Sequence, residues 1–152
     1  SRLGHDGRVK LICQDFLEYD GSGVVIDKVL IDAPCSGLGV VRRRPEGKWL
    51  KDHNILQKFT KQQRSFLEKA YSLVKVGGEI IYSVCSFEIE ETLEQLEWVK
   101  QKYAGNIEII KISDRVPGYY MRYIVDQEIL LVIPECKTTM DGFGVFAIRK
   151  IA

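Results

Sequence analysis

The hydrophobic residues of this sequence fall into six short runs separated by polar or helix-like segments. The first three runs are continuous and rich in β-branched residues, which is typical of strands buried on both faces of a parallel sheet. The six runs are residues 9–13 (VKLIC), 27–32 (DKVLID), 79–85 (EIIYSVC), 107–112 (IEIIKI), 128–134 (EILLVIP) and 142–150 (GFGVFAIRK). We predict a strand from each run, with the last two forming a β-hairpin.

Two of the intervening segments have the periodicity of amphipathic helices. Between residues 54 and 74 the apolar side chains recur at helical spacing, and Gly77-Gly78 indicates a stop after them. Residues 87–103 (FEIEETLEQLEWVKQKY) begin acidic and end basic, as the helix dipole favours. Strands that alternate with helices predict an α/β fold with right-handed crossovers.

Composition adds limits on size, charge and location. The 152 residues suit one domain, and the net charge of +1 provides no overall attraction to nucleic acid. No apolar run approaches the roughly 20 residues of a membrane span, and the polar start (SRLGHDGR) is unlike a signal peptide. We therefore expect a cytoplasmic protein.

The four cysteines, Cys13, Cys35, Cys85 and Cys136, are far apart and form no CxxC pair. This spacing disfavours a zinc site, and without a sign of export it disfavours disulfides. We expect free thiols and no bound metal.

Polar and reactive residues follow the first three predicted strands. Asp15 comes after the first, Asp32 and Cys35 end the second, and Cys85 ends the third. Ligands of open α/β sheets bind at the carboxyl ends of the strands, so these four residues are expected to face one crevice. From spacing alone, packing of both cysteines at strand ends remains an equal alternative.

The motifs DAPCSGLGVVRRRPEGKW (residues 32–49) and GGEIIYSVCS (residues 77–86) resemble the RNA cytosine-C5 methyltransferases of the Sun family. The resemblance extends to Gln63, to Glu90-Glu91, to Pro134 and to the terminal DGFGVFAIRK segment. It implies a partial Rossmann-like methyltransferase fold, S-adenosylmethionine as cofactor and RNA (rRNA or tRNA) as substrate. It also implies transfer of a methyl group to C5 of a cytosine.

The resemblance implies a role for each residue at the predicted strand ends. Cys85 matches the nucleophile that adds to C6 of cytosine, and Cys35 matches the thiol that assists product release. Asp32 and Asp15 match cofactor contacts, Asp15 at the adenine end. A turn-capping carboxylate is the alternative for Asp15.

The segment after the first cysteine turn is basic around a single tryptophan. Arg42, Arg43 and Lys48 are expected to hold RNA phosphates, and Trp49 to stack on a base. A solvated basic loop with Trp49 packed in the core is the alternative. Tyr119, Tyr120 and Tyr123 are further candidates for the RNA path, or packing residues.

Two features of the family are not found in this sequence. The glycine-rich turn after the first strand of the sheet and the acidic residue after the second are both lacking, which makes activity of the isolated chain doubtful. We therefore interpret residues 1–152 as the C-terminal portion of one methyltransferase catalytic domain, lacking two strands of the order 3-2-1-4-5-7-6. Residues 9–13 are then expected to shift and pair with residues 27–32. Otherwise another chain, an N-terminal half or a second copy, closes that edge.

Two other functions compete with the methyltransferase. A non-catalytic RNA-binding or assembly module would keep the basic loop without using the thiols. A thiol hydrolase would need a histidine partner, and neither His5 nor His53 follows a predicted strand end.

Overall fold

A computed structural model describes residues 9–45, 53–135 and 139–152 of the chain, with His53 described by its backbone only. The two α-helices are α1 (His53–Leu73) and α2 (Leu93–Lys102). The six strands are β1 (Ile26–Asp32), β2 (Val74–Val84), β3 (Ile107–Ile110), β4 (Ile124–Val125), β5 (Ile129–Val132) and β6 (Phe143–Lys150). Short 3-10 helices occupy Phe16–Glu18, Leu38–Val40, Ile89–Glu91, Ile112–Asp114 and Gly118–Tyr123.

All six strands belong to one mixed sheet. β1 is an edge strand that pairs in parallel with β2, and β2 pairs antiparallel with β6. The other edge of β6 is shared, because β3 pairs with its last four residues and β5 with its first four. The predicted α/β class and the C-terminal hairpin of β5 and β6 are confirmed.

The sheet has a core on each face. On one face, α1 and α2 pack their apolar side chains against alternate residues of β2 and β6. Tyr82 and Phe146 stack at the centre of this core, with ring centroids 4.8 Å apart. On the other face, Tyr123 and its neighbours cover β5 and the opposite residues of β6. Among the described helices, none combines the length and the apolar composition that a membrane crossing would need.

The strand predicted at residues 9–13 does not form. In the described chain these residues have no strand neighbour, and Val9 and Leu11 are 57% and 91% exposed. A parallel strand depends on backbone partners and burial on both faces, and the free edge of β1 receives neither from this segment. The predicted pairing of residues 9–13 with residues 27–32 is therefore wrong.

The helix stop predicted at Gly77-Gly78 is displaced by a few residues. α1 ends at Leu73, and the chain passes directly into β2 through an irregular stretch of the β1–β2 ladder. A Cβ at Gly78 would lie 2.7 Å from the carbonyl oxygen of Asp27, so Gly78 allows close packing of the two strands. Gly77 has a φ of +80°, and a Cβ there would meet nothing within 4 Å.

Candidate active site

The two cysteine turns meet at the carboxyl end of the parallel pair. Cys85 directly follows β2, and Cys35 lies in the turn after β1, so the shared strand direction brings both to one end of the sheet. Their sulfur atoms lie 3.2 Å apart, and both side chains are half-buried. The backbone holds this arrangement, because Ala33 N–H donates to the Ser83 carbonyl and Gly39 N–H donates to the Cys85 carbonyl.

The two thiols differ in their affinity for a proton. The hydrogen bond from the Cys35 thiol lowers the pKa of Cys85 to about 7, although burial and the carboxylates of Asp32 and Glu91 oppose the shift. The same contact, together with burial, raises the pKa of Cys35 well above its ordinary value. The opposite directions of the two pKa shifts favour a thiolate at Cys85 that accepts a hydrogen bond from the Cys35 thiol.

Two glycines shape the turn that carries Cys35. Gly37 has a φ of +70° at the start of the 3-10 helix Leu38–Val40, a conformation that favours glycine. Gly39 lies against the backbone, where a Cβ would be 2.2 Å from the Gly142 carbonyl oxygen. The close approach that Gly39 allows is therefore made by the protein's own chain.

A buried carboxylate to which no role was assigned from the sequence lies next to the cysteine turns. Glu91 is fully buried and accepts hydrogen bonds from Ser36 N–H, from Ser36 Oγ and from Gln63 Nε2. Glu91 was matched to the family motifs from the sequence but was given no function among the acidic residues at that helix start. The signal that could have identified it is its place, with Gln63 and Ser36, in the family motifs.

Asp32 lies at the rim of the site and lines a cavity. Ser83 Oγ lies 3.3 Å from Asp32 Oδ1 and is within hydrogen-bond distance of it. A cavity of about 180 Å³ beside the end of β1 is lined by Asp32, Leu30, Phe16 and Phe66. The two phenylalanine rings meet edge to face, 5.6 Å apart, and form its apolar wall.

Asp15 makes a capping contact, which is the alternative to a cofactor contact given above. Its Oδ1 accepts a hydrogen bond of 2.8 Å from Leu17 N–H and so caps the 3-10 helix Phe16–Glu18. The next residue, Phe16, lines the cavity that contains Asp32, so Asp15 lies beside that cavity. A cofactor contact by Asp15 remains a prediction.

The basic segment is described only in part. Arg43 forms an ion pair with Asp141, and Arg42 Nη2 lies 3.4 Å from the Glu135 carbonyl oxygen. Both arginine side chains are exposed. Lys48 and Trp49 lie outside the described residues.

A family model and several curated proteins match this sequence. A family model described as 16S rRNA methyltransferase RsmB/F matches residues 1–148. Ribosomal RNA small subunit methyltransferase F of Shewanella piezotolerans is 31% identical over 128 residues, which cover 84% of this chain and 27% of the relative. The corresponding protein of Salmonella agona is 33% identical over 130 residues, which cover 84% of this chain and 26% of the relative. The chain thus spans about a quarter of the length of the curated relatives it matches.

Solved structures share the fold. NSun6 from Pyrococcus horikoshii, crystallised with SFG, is 26% identical with a TM-score of 0.74 over 95% of this chain and 35% of its own. A crystal structure described as PH0851 is 27% identical with a TM-score of 0.70 over 82% of this chain and 26% of its own. These likenesses confirm the predicted partial Rossmann-like fold.

Proposed function

Because the chain belongs to the 16S rRNA methyltransferase RsmB/F family, we propose that it carries the reactive thiols of an S-adenosylmethionine-dependent RNA cytosine-C5 methyltransferase. Membership in this family agrees with the resemblance drawn from the sequence motifs. The observation that carries the proposal is the contact of 3.2 Å between Cys35 and Cys85 at the carboxyl end of β1 and β2. We also propose that residues 1–152 form the C-terminal portion of one methyltransferase catalytic domain.

Cys85 is the proposed nucleophile. C5 of cytosine is a weak nucleophile, and addition of the Cys85 sulfur to C6 pushes an electron pair onto C5. C5 then takes the methyl group. Loss of the C5 proton and departure of the Cys85 sulfur from C6 restore the ring as 5-methylcytosine. A pKa of about 7 gives Cys85 a large thiolate fraction at neutral pH, which supports this role.

Cys35 is proposed to assist the release step. Its pKa is raised first by its hydrogen bond to Cys85, then by burial and by the charge of Cys85. Formation of the bond between Cys85 and C6 removes that charge and weakens that acceptor. The pKa of Cys35 then falls, so Cys35 can release its own proton to solvent, and the resulting Cys35 thiolate can accept the proton that C5 loses.

The cavity beside β1 fits one end of the cofactor. Aromatic walls from Phe16 and Phe66 suit a purine ring, and Asp32 adds a hydrogen-bond acceptor at the rim. Pockets for whole ligands of this size measure roughly 300–1,000 Å³. The cavity of about 180 Å³ is smaller, so other residues must complete the pocket. When bound, S-adenosylmethionine supplies an electrophilic methyl group on its sulfonium sulfur.

RNA is the proposed partner of the basic segment. Exposed Arg42 and Arg43 are proposed to contact phosphates, and Lys48 and Trp49 are proposed to extend this surface. The target cytosine must be unpaired or flipped out to reach the half-buried sulfur of Cys85. Because Arg43 already pairs with Asp141, a phosphate would have to share or replace that ion pair.

The proposal is tested with RNA that contains 5-azacytidine. Nitrogen at ring position 5 leaves no proton to lose, so a methylated adduct stays attached to the nucleophile. Under conditions in which the chain binds S-adenosylmethionine, we expect it to give, with this RNA, a covalent complex that survives denaturing electrophoresis. Cys85→Ala should abolish the complex, whereas Cys13→Ser should leave it unchanged, because Cys13 lies away from the thiol pair as an exposed free thiol.

Absence of the complex in the unsubstituted chain, despite bound cofactor, would contradict the proposal. If RNA still bound, the result would favour a non-catalytic RNA-binding module. A calorimetric titration with S-adenosylmethionine determines whether the cofactor is bound in that experiment.

A further inference from the structure

Glu91 is a fully buried charged group beside the two thiols for which the proposed chemistry has no use. It ends the 3-10 helix Ile89–Glu91, and its side chain is fully enclosed. Burial of a carboxylate costs several kcal/mol unless hydrogen bonds compensate. The donors that compensate Glu91 therefore indicate what the residue does.

Those donors belong to the turn that carries Cys35. Ser36 donates from its backbone N–H at 2.8 Å and from its hydroxyl at 2.6 Å to the two carboxylate oxygens. Gln63 donates to Glu91 at 3.0 Å and also lies 3.0 Å from the Pro34 carbonyl oxygen. Glu91 and Gln63 together thus hold the residues immediately before and after Cys35.

Glu91 also contacts the end of β2, which leads into Cys85. The Tyr82 hydroxyl, three positions before Cys85, donates to the Glu91 carbonyl oxygen at 2.9 Å. Ser86, the next residue after Cys85, places its hydroxyl 3.3 Å from that of Ser36. Glu91 therefore links both cysteine turns, through its side chain on one side and its backbone on the other.

The charge of Glu91 does not favour a thiolate. Its negative charge raises the pKa of both Cys85 and Cys35, but it is the last of the causes acting on either thiol. The hydrogen bond from Cys35 is the first cause for Cys85 and has the opposite sign. What Glu91 contributes to the pair is therefore alignment, and alignment outweighs its unfavourable charge.

We propose that Glu91 is a positioning residue that holds the Cys35 thiol within hydrogen-bond distance of the Cys85 sulfur. This role rests on the proposed function only in that the two thiols perform the chemistry. Without the Glu91 carboxylate, the turn that carries Cys35 loses the acceptor of its Ser36 hydrogen bonds. Cys35 then moves out of hydrogen-bond distance of Cys85.

Two explanations of the role of Glu91 predict opposite shifts in the pKa of Cys85 when Glu91 is substituted. A merely electrostatic neighbour, once neutralised, would lower the pKa of Cys85. A positioning residue, once its acceptor is lost, would raise it. The titratable groups that face Cys85 in the described chain are Cys35 and Asp32 from the β1 side and Glu91 from the 3-10 helix. The substitution at Glu91 changes neither the Cys35 nor the Asp32 side chain chemically, so a rise in the Cys85 pKa reports the lost alignment.

The experiment follows the rate of Cys85 alkylation by iodoacetamide against pH, with the modified peptide identified by mass spectrometry. In the unsubstituted chain the midpoint should lie near 7. Glu91→Gln keeps the shape but replaces an acceptor by a donor, and should raise the midpoint toward the ordinary value of about 8.5. Glu90→Gln removes the same charge one residue away and should leave the midpoint near that of the unsubstituted chain, because Glu90 is not among the groups that shift the pKa of Cys85.

Ser36→Ala is the second variant and keeps the result decisive if Glu91→Gln does not fold. It removes one of the Glu91 donors and should raise the midpoint by a smaller amount. A midpoint that stays near 7 or falls in both folded variants would overturn the proposal, as would an unchanged midpoint in Ser36→Ala alone. Alkylation needs neither RNA nor cofactor. A chain that binds S-adenosylmethionine and forms no RNA adduct, but shows the Glu91→Gln shift, would refute the proposed function and leave this inference standing.

Discussion

At the scale of single residues, the contact between Cys35 and Cys85 gives two chemically identical side chains opposite protonation states. The sulfur atoms lie 3.2 Å apart, and only one proton can occupy the space between them. Cys35 keeps the proton because it is the more buried of the two, which disfavours its charged form. The difference between the thiols thus comes from their surroundings and from each other.

Cys35→Ala tests this assignment. The substitution removes the hydrogen-bond donor that lowers the pKa of Cys85, so we expect that pKa to rise from about 7 toward about 8.5. The measurement is the ultraviolet absorbance of the thiolate against pH, in a background where Cys13 and Cys136 are serine. An unchanged titration in Cys35→Ala would mean that another group lowers the pKa of Cys85.

Gly39 provides a second residue-scale test, of packing. A methyl group there would lie 2.2 Å from the Gly142 carbonyl oxygen and 2.8 Å from that of Cys85, so the backbone must move. We expect Gly39→Ala to lower the free energy of unfolding by about 1–3 kcal/mol. Gly118→Ala is the matched control, because a Cβ there meets nothing within 4 Å. Urea denaturation of both variants checks this, and equal losses would contradict the packing argument.

At the scale of elements, the sheet carries a row of charges that alternate in sign across four neighbouring strands. Lys28 of β1 pairs with Glu79 of β2, Glu79 pairs with Arg149 of β6, and Arg149 pairs with Glu108 of β3. Arg115 adds two hydrogen bonds to Glu79, of 3.0 and 2.9 Å. We call this row the charge ladder. It fixes the register of β2 at its centre, where the carboxylate of Glu79 is buried.

The charge ladder makes the fold sensitive to acid. The Arg115 guanidinium, with Arg149 and Lys28, holds the pKa of Glu79 well below its usual range. A group with a lowered folded pKa contributes stability above its unfolded pKa of about 4.3, and loses it as the pH falls further. We expect Glu79→Gln to lower the free energy of unfolding at pH 7 by about 2 kcal/mol. The difference from the unsubstituted chain should shrink as the pH falls below 4.3.

Glu108→Gln is the control for the charge ladder. Its carboxylate is 55% exposed and pairs only at the end of the row, so the loss should stay below about 1 kcal/mol at any pH. Denaturation curves at several pH values separate the two cases. A gap between Glu79→Gln and the unsubstituted chain that does not change with pH would refute the linkage.

The elements also show where sequence patterns stop being informative. The runs at 27–32 and 79–85 form strands because each finds the other as a parallel neighbour. The run at 9–13 has the same composition but finds no neighbour, and periodicity contains no information about neighbours. β4 was not predicted, since its turn to β5 uses Asp126 and Gln127 with positive φ and lacks the glycine that usually indicates such a hairpin.

At the scale of the whole molecule, β1 has a free edge. Among the described strands β1 pairs with β2 alone, and the apolar residues Val24, Val25 and Leu30, in or just before β1, are 56%, 75% and 68% exposed. Exposed strand edges promote pairing with other chains. Closure of this edge by a second chain, expected from the sequence, remains a prediction.

That prediction is tested by a charge placed beside the edge. We expect the chain to self-associate as its concentration rises, and Val25→Lys to weaken the association by about tenfold, or ~1.4 kcal/mol. Ile151→Lys changes a residue of similar type that is 49% exposed and follows β6, and should have no effect. Sedimentation velocity over a range of concentrations gives the answer. A chain that stays monomeric throughout would refute closure by a second copy.

The site was predictable to the extent that it depends on strand direction. Two parallel strands place whatever follows them at one end of the sheet, so the meeting of Cys35 and Cys85 could be foreseen. The support from Glu91 and Gln63 could not, because it depends on how α1 and a 3-10 helix pack against the turn. The sequence thus predicts which reactive residues follow the strands. It does not predict the packing that aligns their side chains.

The central position of β6 has a consequence for the order of folding. The strand inserts between β2 on one side and both β3 and β5 on the other, and its contact between Arg149 and Glu79 closes a separation of 70 residues. Contacts over such distances form late, since closure of the long loop costs entropy before any pairing compensates it. Until β6 inserts, β2 offers an open edge to solvent and the two thiols lack the Gly142 backbone that packs against their turn. Folding of the reactive centre therefore has to wait for the strand that joins the two halves of the sheet.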